Sequence, residues 1–361
     1  MALRPSGSSA IADAIARRDA RRFSEAILPQ VSRTFALGIR VLPGALGHAV
    51  LAAYLICRVA DTVEDAPGMT PAEKAPLFDA ILGAFDGPDA AAALPALAAP
   101  VTGEAAHVQL VRHADLVFAH FHTLPPRTRD HVRRWVTEMV VGMRKFVSRY
   151  PDGIRIRTID EFREYCYYVA GTVGYLLTDL WHEHAPSVGA DRYARLRERC
   201  RAFAEALQTV NILKDVAHDA RVENAIYVPE ELLRAHGSTH AALLDPAREP
   251  SNRAALDRLI ALAAADLDEA RDYLLLLPRR ASAIRLFCLL PVLFAQATLR
   301  ELARSSAMLR PGGGVKISRR EVRALLVASV LLVRSNAAVR WLLERVRHAP
   351  FPLRAAGPRS A

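Results

Sequence analysis

The sequence predicts an all-α protein, and three features carry that reading. The chain is rich in alanine, leucine and arginine, all strong helix formers. Long apolar runs such as LGHAVLAAYLIC and ALQTVNILK carry their polar residues at helical rather than alternating spacing. Alternating runs bounded by turn residues, the mark of a strand series, are hard to find. At 361 residues the chain has room for one large domain or several ordinary ones. The reading adopted is one helical domain over residues 23–347 with one core. A leader at 1–22, frayed or a short helix, precedes it, and a basic tail at 348–361 follows.

Composition narrows the partners. Apolar residues make up 52% and charged residues 24%, as in a soluble globular protein, with a net charge of +10. That charge admits nucleic acid, an anionic membrane surface or a phosphorylated substrate. The basic residues are dispersed and form no nucleic-acid motif, so no nucleic-acid partner is expected. Four cysteines without paired spacing argue against a disulfide framework or a zinc site. Cys57 and Cys288 lie in apolar runs and read as core residues. MALRPSGSSAIADAIARRDARR has no apolar segment of a signal peptide. The apolar stretches near 286–299 and 324–333 are shorter than the roughly eighteen residues of a membrane span.

Along the chain, Ser32, Arg33 and Thr34 come first, just ahead of an apolar segment. Alone they read as a helix cap with a surface arginine, although such a cluster also suits phosphate oxygens. AYLICRVADTVED (residues 53–65) then places Tyr54, Arg58, Asp61 and Asp65 at steps of four, three and four, on one helix face. Asp61 and Asp65 stand one turn apart, where like charges cost about 0.2–0.5 kcal/mol. Buried and unpaired, they would cost far more. A divalent cation removes both costs, and hard oxygen ligands suit magnesium held jointly with substrate phosphates. A lone motif of this kind is otherwise a solvated charged turn.

Residues 66–104 carry Pro67, Gly68, Pro71 and an alanine-rich run, a helix–loop–helix excursion rather than a domain boundary. Helices are predicted around 105–123 and 127–149. His107, His113, His120 and His122 in the first do not share one face as a ligand set would, so they read as surface or supporting histidines. EMVVGMRKFVSR (138–149) has methionine and valine at core spacing. In YCYYVAGTVGYLL (165–177), Gly171 and Gly174 each cost a helix about 1 kcal/mol relative to alanine, which points to a close backbone approach or a kink. ALQTVNILKDVAHD (206–219) repeats the acidic stripe with Gln208, Asn211, Asp215 and Asp219. Two such helices together would form an acidic cleft for cations and a diphosphate. PGGGVKISRR delivers Lys316 and Arg319 after a flexible glycine run, and SNAAVRWLLERVRH is a basic amphipathic helix that reads first as a packing helix, with peripheral membrane contact as the alternative.

SRTFALGIRVLP, YLICRVADTVED, YCYYVAGTVGYLL, LQTVNILKD, RLFCLLPVLFAQATL (285–299) and VKISR follow one another along the chain. Jointly they resemble the squalene/phytoene synthase family, on its squalene synthase branch, from about residue 23 to 320. The resemblance implies a single-domain isoprenoid-synthase helical fold with a central active-site cavity between the two aspartate-bearing helices. It implies Mg2+ at Asp61, Glu64, Asp65, Asp215 and Asp219. Substrate contacts would come from Ser32, Arg33, Thr34, Tyr54, Gln208, Asn211 and Lys214. Arg58, Tyr168 and Phe287 would stabilise the leaving group and the carbocation, the rings through their π faces. Lys316 and Arg319 would meet NADPH, and the helix at 138–149 would contribute to the pocket wall. Three positions depart from the family pattern: Lys214 stands for an arginine, His218 for a glutamate and Ala225 for a phosphate-clamping arginine, unless Arg221 reaches in.

The implied reaction is head-to-head condensation of two farnesyl diphosphates through presqualene diphosphate, with NADPH reduction to squalene. Alternatives are a synthase stopping at presqualene diphosphate, dehydrosqualene or phytoene, a prenyltransferase with another acceptor, or a non-catalytic isoprenoid-diphosphate-binding member. Eukaryotic members carry a C-terminal membrane anchor; none is expected here, and the expected location is cytoplasmic, with peripheral membrane contact open. Oligomeric state cannot be inferred.

Overall fold

The computed structural model describes residues 7–32 and 34–351. They divide into two compact units, Met1–Ile154 with Tyr175–His184, and Arg155–Gly174 with Ala185–Ala361. Each unit is organised around one of the two aspartate helices. Among the described residues the only β feature is an isolated bridge between Arg155 and Ile226.

The first unit opens with α1 (Gly7–Ala16) and α2 (Ala20–Val31). The leader is therefore helical from residue 7, because Ile11, Ala14 and Phe23 are buried. The Asp19 carboxylate caps α2 by accepting the Arg22 N–H at 3.0 Å. Next come α3 (Thr34–Val41), α4 (Gly44–Glu64), α5 (Pro71–Gly83) and the short α6 (Leu94–Leu97). A capping box starts α5: Thr70 Oγ1 accepts the Glu73 N–H (3.3 Å) and the Glu73 carboxylate accepts the Thr70 N–H (2.7 Å). Residues 71–97 thus form the expected excursion.

The helix expected over 105–123 is two, α7 (Ala105–Arg112) and α8 (Ala114–His122). His113 breaks it with φ −124° and ψ 28°, its ring seated edge-on against Phe23 at 5.8 Å. The long α9 (Pro126–Arg149) completes this stretch. Met139, Val140, Met143 and Phe146 are buried, so that methionine–valine stripe is core. Among the described residues α2, α3, α5, α7, α8 and α9 all pack against α4. Its lack of any acidic residue before Asp61 is what makes that burial affordable.

The second unit contains α10 (Ile159–Cys166), a π-helical turn Tyr167–Gly171 and the start of α11 (Thr172–His184). It continues with α12 (Ala190–Arg197), α13 (Cys200–His218), a second π-helical turn Asp219–Glu223 and α14 (Glu230–Ala235). The last helices are α15 (Glu249–Leu276), α16 (Ser282–Ala303), α17 (Arg319–Leu332) and α18 (Asn336–His348). At its centre, α13 packs on α15, α16 and the first π-helical turn. A Cβ at Gly174 would lie 2.1 Å from the Cys200 carbonyl oxygen, which is why glycine stands there.

Two buried arginines tie this unit together. Arg285, fully buried, donates to the carbonyls of Leu277 (2.7 Å) and Val333 (2.7 Å) and to Asn336 Oδ1 (2.9 Å). Arg300 pairs bidentately with Glu321, both bonds 3.0 Å. The apolar runs also correct one expectation. Gly44–Glu64 and Ser282–Ala303 are each long and apolar enough to cross a membrane by length and composition. They are core helices here, with 72% and 61% of their apolar windows buried. All four cysteines are free and buried.

His120 is 2% exposed, its ring edge-on to His48 at 5.6 Å. Neither ring's Nδ1 has a hydrogen-bond partner among the described residues. Burial, with the neighbouring His48, pushes the His120 imidazole down to about 4. The unfolded chain therefore binds an extra proton between about pH 6.5 and 4, so stability is full above that window and falls through it. We expect a loss on the order of 2 kcal/mol by pH 4 from this group, and His120→Phe to flatten that part of the urea-denaturation pH profile. Gly174→Ala should lower stability by roughly 1–3 kcal/mol, read as a drop in the urea midpoint.

Candidate active site

The first acidic motif lies at the C-terminal end of α4. From Ala49 onward the helix is buried, and only the face of Tyr54, Arg58, Asp61 and Asp65 is partly open. Arg58 Nη1 donates to Asp61 Oδ2 at 2.9 Å, with the two side chains 27% and 21% exposed. Burial lifts the Asp61 carboxyl above the usual carboxylate range, and Arg58 offsets only part of that. Burial likewise raises the Tyr54 phenol, whose hydrogen bond to Ser32 works the other way. Ser32 Oγ also accepts the Phe35 N–H at 3.2 Å, and the Phe35 ring lies 5.6 Å from that of Tyr54. Ser32, Tyr54, Arg58, Asp61 and Asp65 thus share one part of the first unit. Arg33 and the Thr34 side chain lie outside the described residues.

Two groups join this cluster that spacing did not reveal. Lys74 on α5 is 8% exposed and donates its Nζ to the Glu64 carbonyl oxygen at the end of α4. Its burial lowers the ammonium pKa, while Asp65 and Glu64 beside it counter the effect. His107 on α7 is close enough to Arg58 and Asp61 to feel both charges, a supporting position rather than a surface one. Glu64 itself is 7% exposed, on the α4 flank where Lys74 sits.

The second motif repeats the arrangement in the second unit. Gln208, Asn211 and Asp215 lie along the half-open face of α13, whereas Asp219, at its end, is 8% exposed. Lys214 Nζ pairs with Asp215 at 2.9 Å. After Asp219 the chain makes the π-helical turn to Glu223, Asn224 takes a left-handed conformation (φ 53°), and the Ala225 N–H bonds the Asp219 carbonyl (3.0 Å). His218 is 59% exposed, 3.9 Å from Glu223, so a carboxylate stands beside the position where the family glutamate is missing. Next to Ala225, Arg155 donates to the Asn224 carbonyl (2.6 Å) and to Asn224 Oδ1 (2.5 Å). Arg221, the residue considered for that role, is exposed.

Tyr168 sits half-buried in the first π-helical turn, and the local sequence explains how. Gly171 lets the turn approach α13, because a Cβ there would come within 3.1 Å of the Tyr167 ring and 3.3 Å of Glu205. Beneath it, Arg163 bonds Asp266 (3.0 Å) and Glu205 (3.2 Å). π-Helical turns inside α-helices recur at functional sites. Phe287 on α16 is 4% exposed. Lys316 and Arg319 are exposed. Ser318 caps α17 by accepting the Glu321 N–H at 3.1 Å, so Arg319 projects from a helix start. Gly313 packs tightly, since a Cβ would lie 2.2 Å from the Ala307 carbonyl; this glycine serves close packing, not mobility.

Both acidic pairs occupy the last turn of a buried helix. There the negative end of the macrodipole adds to the carboxylates, a field that favours cations. Among the described residues no three His, Cys, Asp or Glu side chains converge on a metal. Paired carboxylates fit a hard cation that arrives with phosphate ligands of its own, since magnesium is usually held by one or two carboxylates plus substrate oxygens.

Comparisons with known proteins agree with this arrangement. The squalene/phytoene synthase profile matches residues 28–321. The squalene synthase of Schizosaccharomyces pombe is 27% identical over 318 residues, 85% of this chain and 64% of the relative. The chain thus spans somewhat under two thirds of that protein's length. The squalene synthase of Bos taurus is 26% identical, over 89% of this chain and 72% of its own. Among solved structures, a ligand complex of TcSQS superposes with a TM-score of 0.73 at 22% identity, covering 91% of this chain and 98% of its own. A dehydrosqualene synthase bound to a ligand gives 0.64 at 21% identity, covering 89% and 99%. These likenesses show the isoprenoid-synthase helical fold. With the motifs in their order and the profile matching most of its length, the chain belongs to the squalene/phytoene synthase family.

Proposed function

We propose that this protein condenses two farnesyl diphosphates head to head through presqualene diphosphate and reduces the product to squalene. The observation that carries the reading is the pair of aspartate motifs, each ending the central helix of its unit. Asp61 and Asp65, and Asp215 and Asp219, would hold Mg2+ together with substrate diphosphate. When bound, magnesium supplies charge neutralisation at the leaving group, and NADPH, met by Lys316 and Arg319, supplies hydride.

The chain's own residues do the rest. Arg58 and Lys214, each already beside an aspartate, add positive charge where pyrophosphate departs. Gln208 and Asn211 orient the diphosphate. Ser32 and Tyr54 form a hydroxyl pair for a phosphate oxygen. Tyr168 and Phe287 present π faces to the carbocation and exclude the water that would trap it as an alcohol. The second reading is a synthase of non-reduced products or a prenyltransferase with another acceptor, and Lys214, His218 and Ala225 mark the altered second diphosphate site on which it rests. Lysine lacks the bidentate fork of arginine, and His218 removes an anionic oxygen. The partner in this reading is the lipid-like isoprenoid diphosphate substrate.

The deciding experiment incubates the protein with farnesyl diphosphate and Mg2+, with and without NADPH, and identifies products by mass spectrometry. Squalene only with NADPH is the expected result. Dehydrosqualene or presqualene diphosphate under both conditions would transfer the protein to the non-reducing branch. No consumption would remove the proposal. Asp61→Asn with Asp65→Asn should lower turnover by roughly 10³-fold with the helical circular dichroism unchanged. Arg155→Ala should raise the KM for farnesyl diphosphate roughly tenfold, whereas Arg221→Ala should leave it unchanged, because only Arg155 is braced beside Ala225.

A further inference from the structure

The outward face of α17 has the wrong polarity for water. Val327, Val330 and Leu331 are 61%, 62% and 74% exposed, at the spacing that makes one continuous stripe on a helix. Arg320 and Arg323 precede the stripe and Arg334 follows it, all exposed. The only acidic residue of α17, Glu321, is 4% exposed and spent on Arg300 at 3.0 Å. The outward face is therefore apolar in the middle, cationic at both ends and free of negative charge.

A second feature adjoins its C-terminal end. Arg334 Nε donates to Ser282 Oγ at 3.0 Å, which brings the end of α17 to the start of α16. Beside it lies a hollow of about 390 Å3 whose lining includes Arg192, Leu275–Leu277, Arg279, Arg280 and Asn336. Arg279 and Arg280 are exposed. Several guanidinium groups around one hollow suit a headgroup phosphate.

We infer that this face of α17, with the arginine-rimmed hollow, docks the protein on an anionic lipid bilayer. An apolar helix face flanked by basic residues is the pattern of helices lying in the membrane interface, and arginine stems extend along apolar surface while their heads stay polar. Charge complementarity selects this occupant over a second copy of the chain. In either orientation, pairing two α17 stripes sets arginine ends against arginine ends. The inference does not depend on the chemistry proposed for the aspartate motifs.

The test is sedimentation of the full chain with vesicles of phosphatidylcholine, alone or with about 30 mol% phosphatidylglycerol. We expect binding to the anionic vesicles, weakened by about 0.5 M NaCl. Val327→Ser with Val330→Ser and Leu331→Ser should weaken it at least about tenfold, and Arg279→Glu with Arg280→Glu by a similar factor. Both sets lie on exposed positions, and unchanged urea midpoints would show the fold intact; the arginine pair gives an independent reading if the triple variant does not fold. Equal binding to neutral vesicles, wild-type binding by both variants, or a dimer abolished by the triple variant would overturn the inference.

Discussion

The arrangement of each unit depends on one constraint: a helix must be buried along its length while its last turn carries two carboxylates. Burial requires an apolar run, which α4 and α13 both supply. The carboxylates then fall where the helix carbonyls run out of partners and the dipole is negative. Such an end tolerates the second aspartate only if positive charge is available. Arg58 and Lys214 provide one cation each, paired with the first aspartate of each motif at 2.9 Å. Lys74 adds a buried ammonium at the end of α4. The raised pKa of Asp61 records that this internal compensation is incomplete. In the proposed function, a hard cation and a diphosphate would complete it.

The rest of the second unit can be read as support for one short irregular segment. The π-helical turn holding Tyr168 is poor backbone geometry for an isolated helix. It is held by glycine contacts with α13 and by the Arg163–Asp266–Glu205 network beneath. Those charges are largely withdrawn from water, where a satisfied network specifies one conformation and a broken one is costly. The aromatic ring is consequently positioned by a rigid platform instead of by a loop.

Much of this was legible in the sequence because it is local. The stripes of residues 54–65 and 208–219 are helical periodicities, and the helical ends, the excursion at 66–104 and the glycine pair at 171 and 174 follow from short-range rules. What stayed illegible is what folding brings from afar. Arg155 meets Asn224 across 69 residues, and nothing in its own neighbourhood marks it. Lys74 looks like any surface lysine of an amphipathic segment until α5 lays it over the end of α4. His113 sits in a run that periodicity alone reads as one helix; its contact with Phe23, from a helix far back in the chain, accompanies the break. The apolar lengths of α4 and α16 were underestimated because single charged residues interrupt them without ending them. The division into two units was likewise beyond periodicity, which records faces and not which faces meet.

Arg285 gives the C-terminal region a meaning that its position would not suggest. One guanidinium closes off the carbonyl end of α15 at Leu277, the end of α17 at Val333, and Asn336 at the start of α18. Three chain ends therefore share a single buried cation. A chain cut before residue 333 would lose the Val333 carbonyl and Asn336 Oδ1, two of the acceptors that satisfy this buried cation. For anyone shortening, tagging or splitting this polypeptide, the last helices are the keystone of the unit and not its fringe.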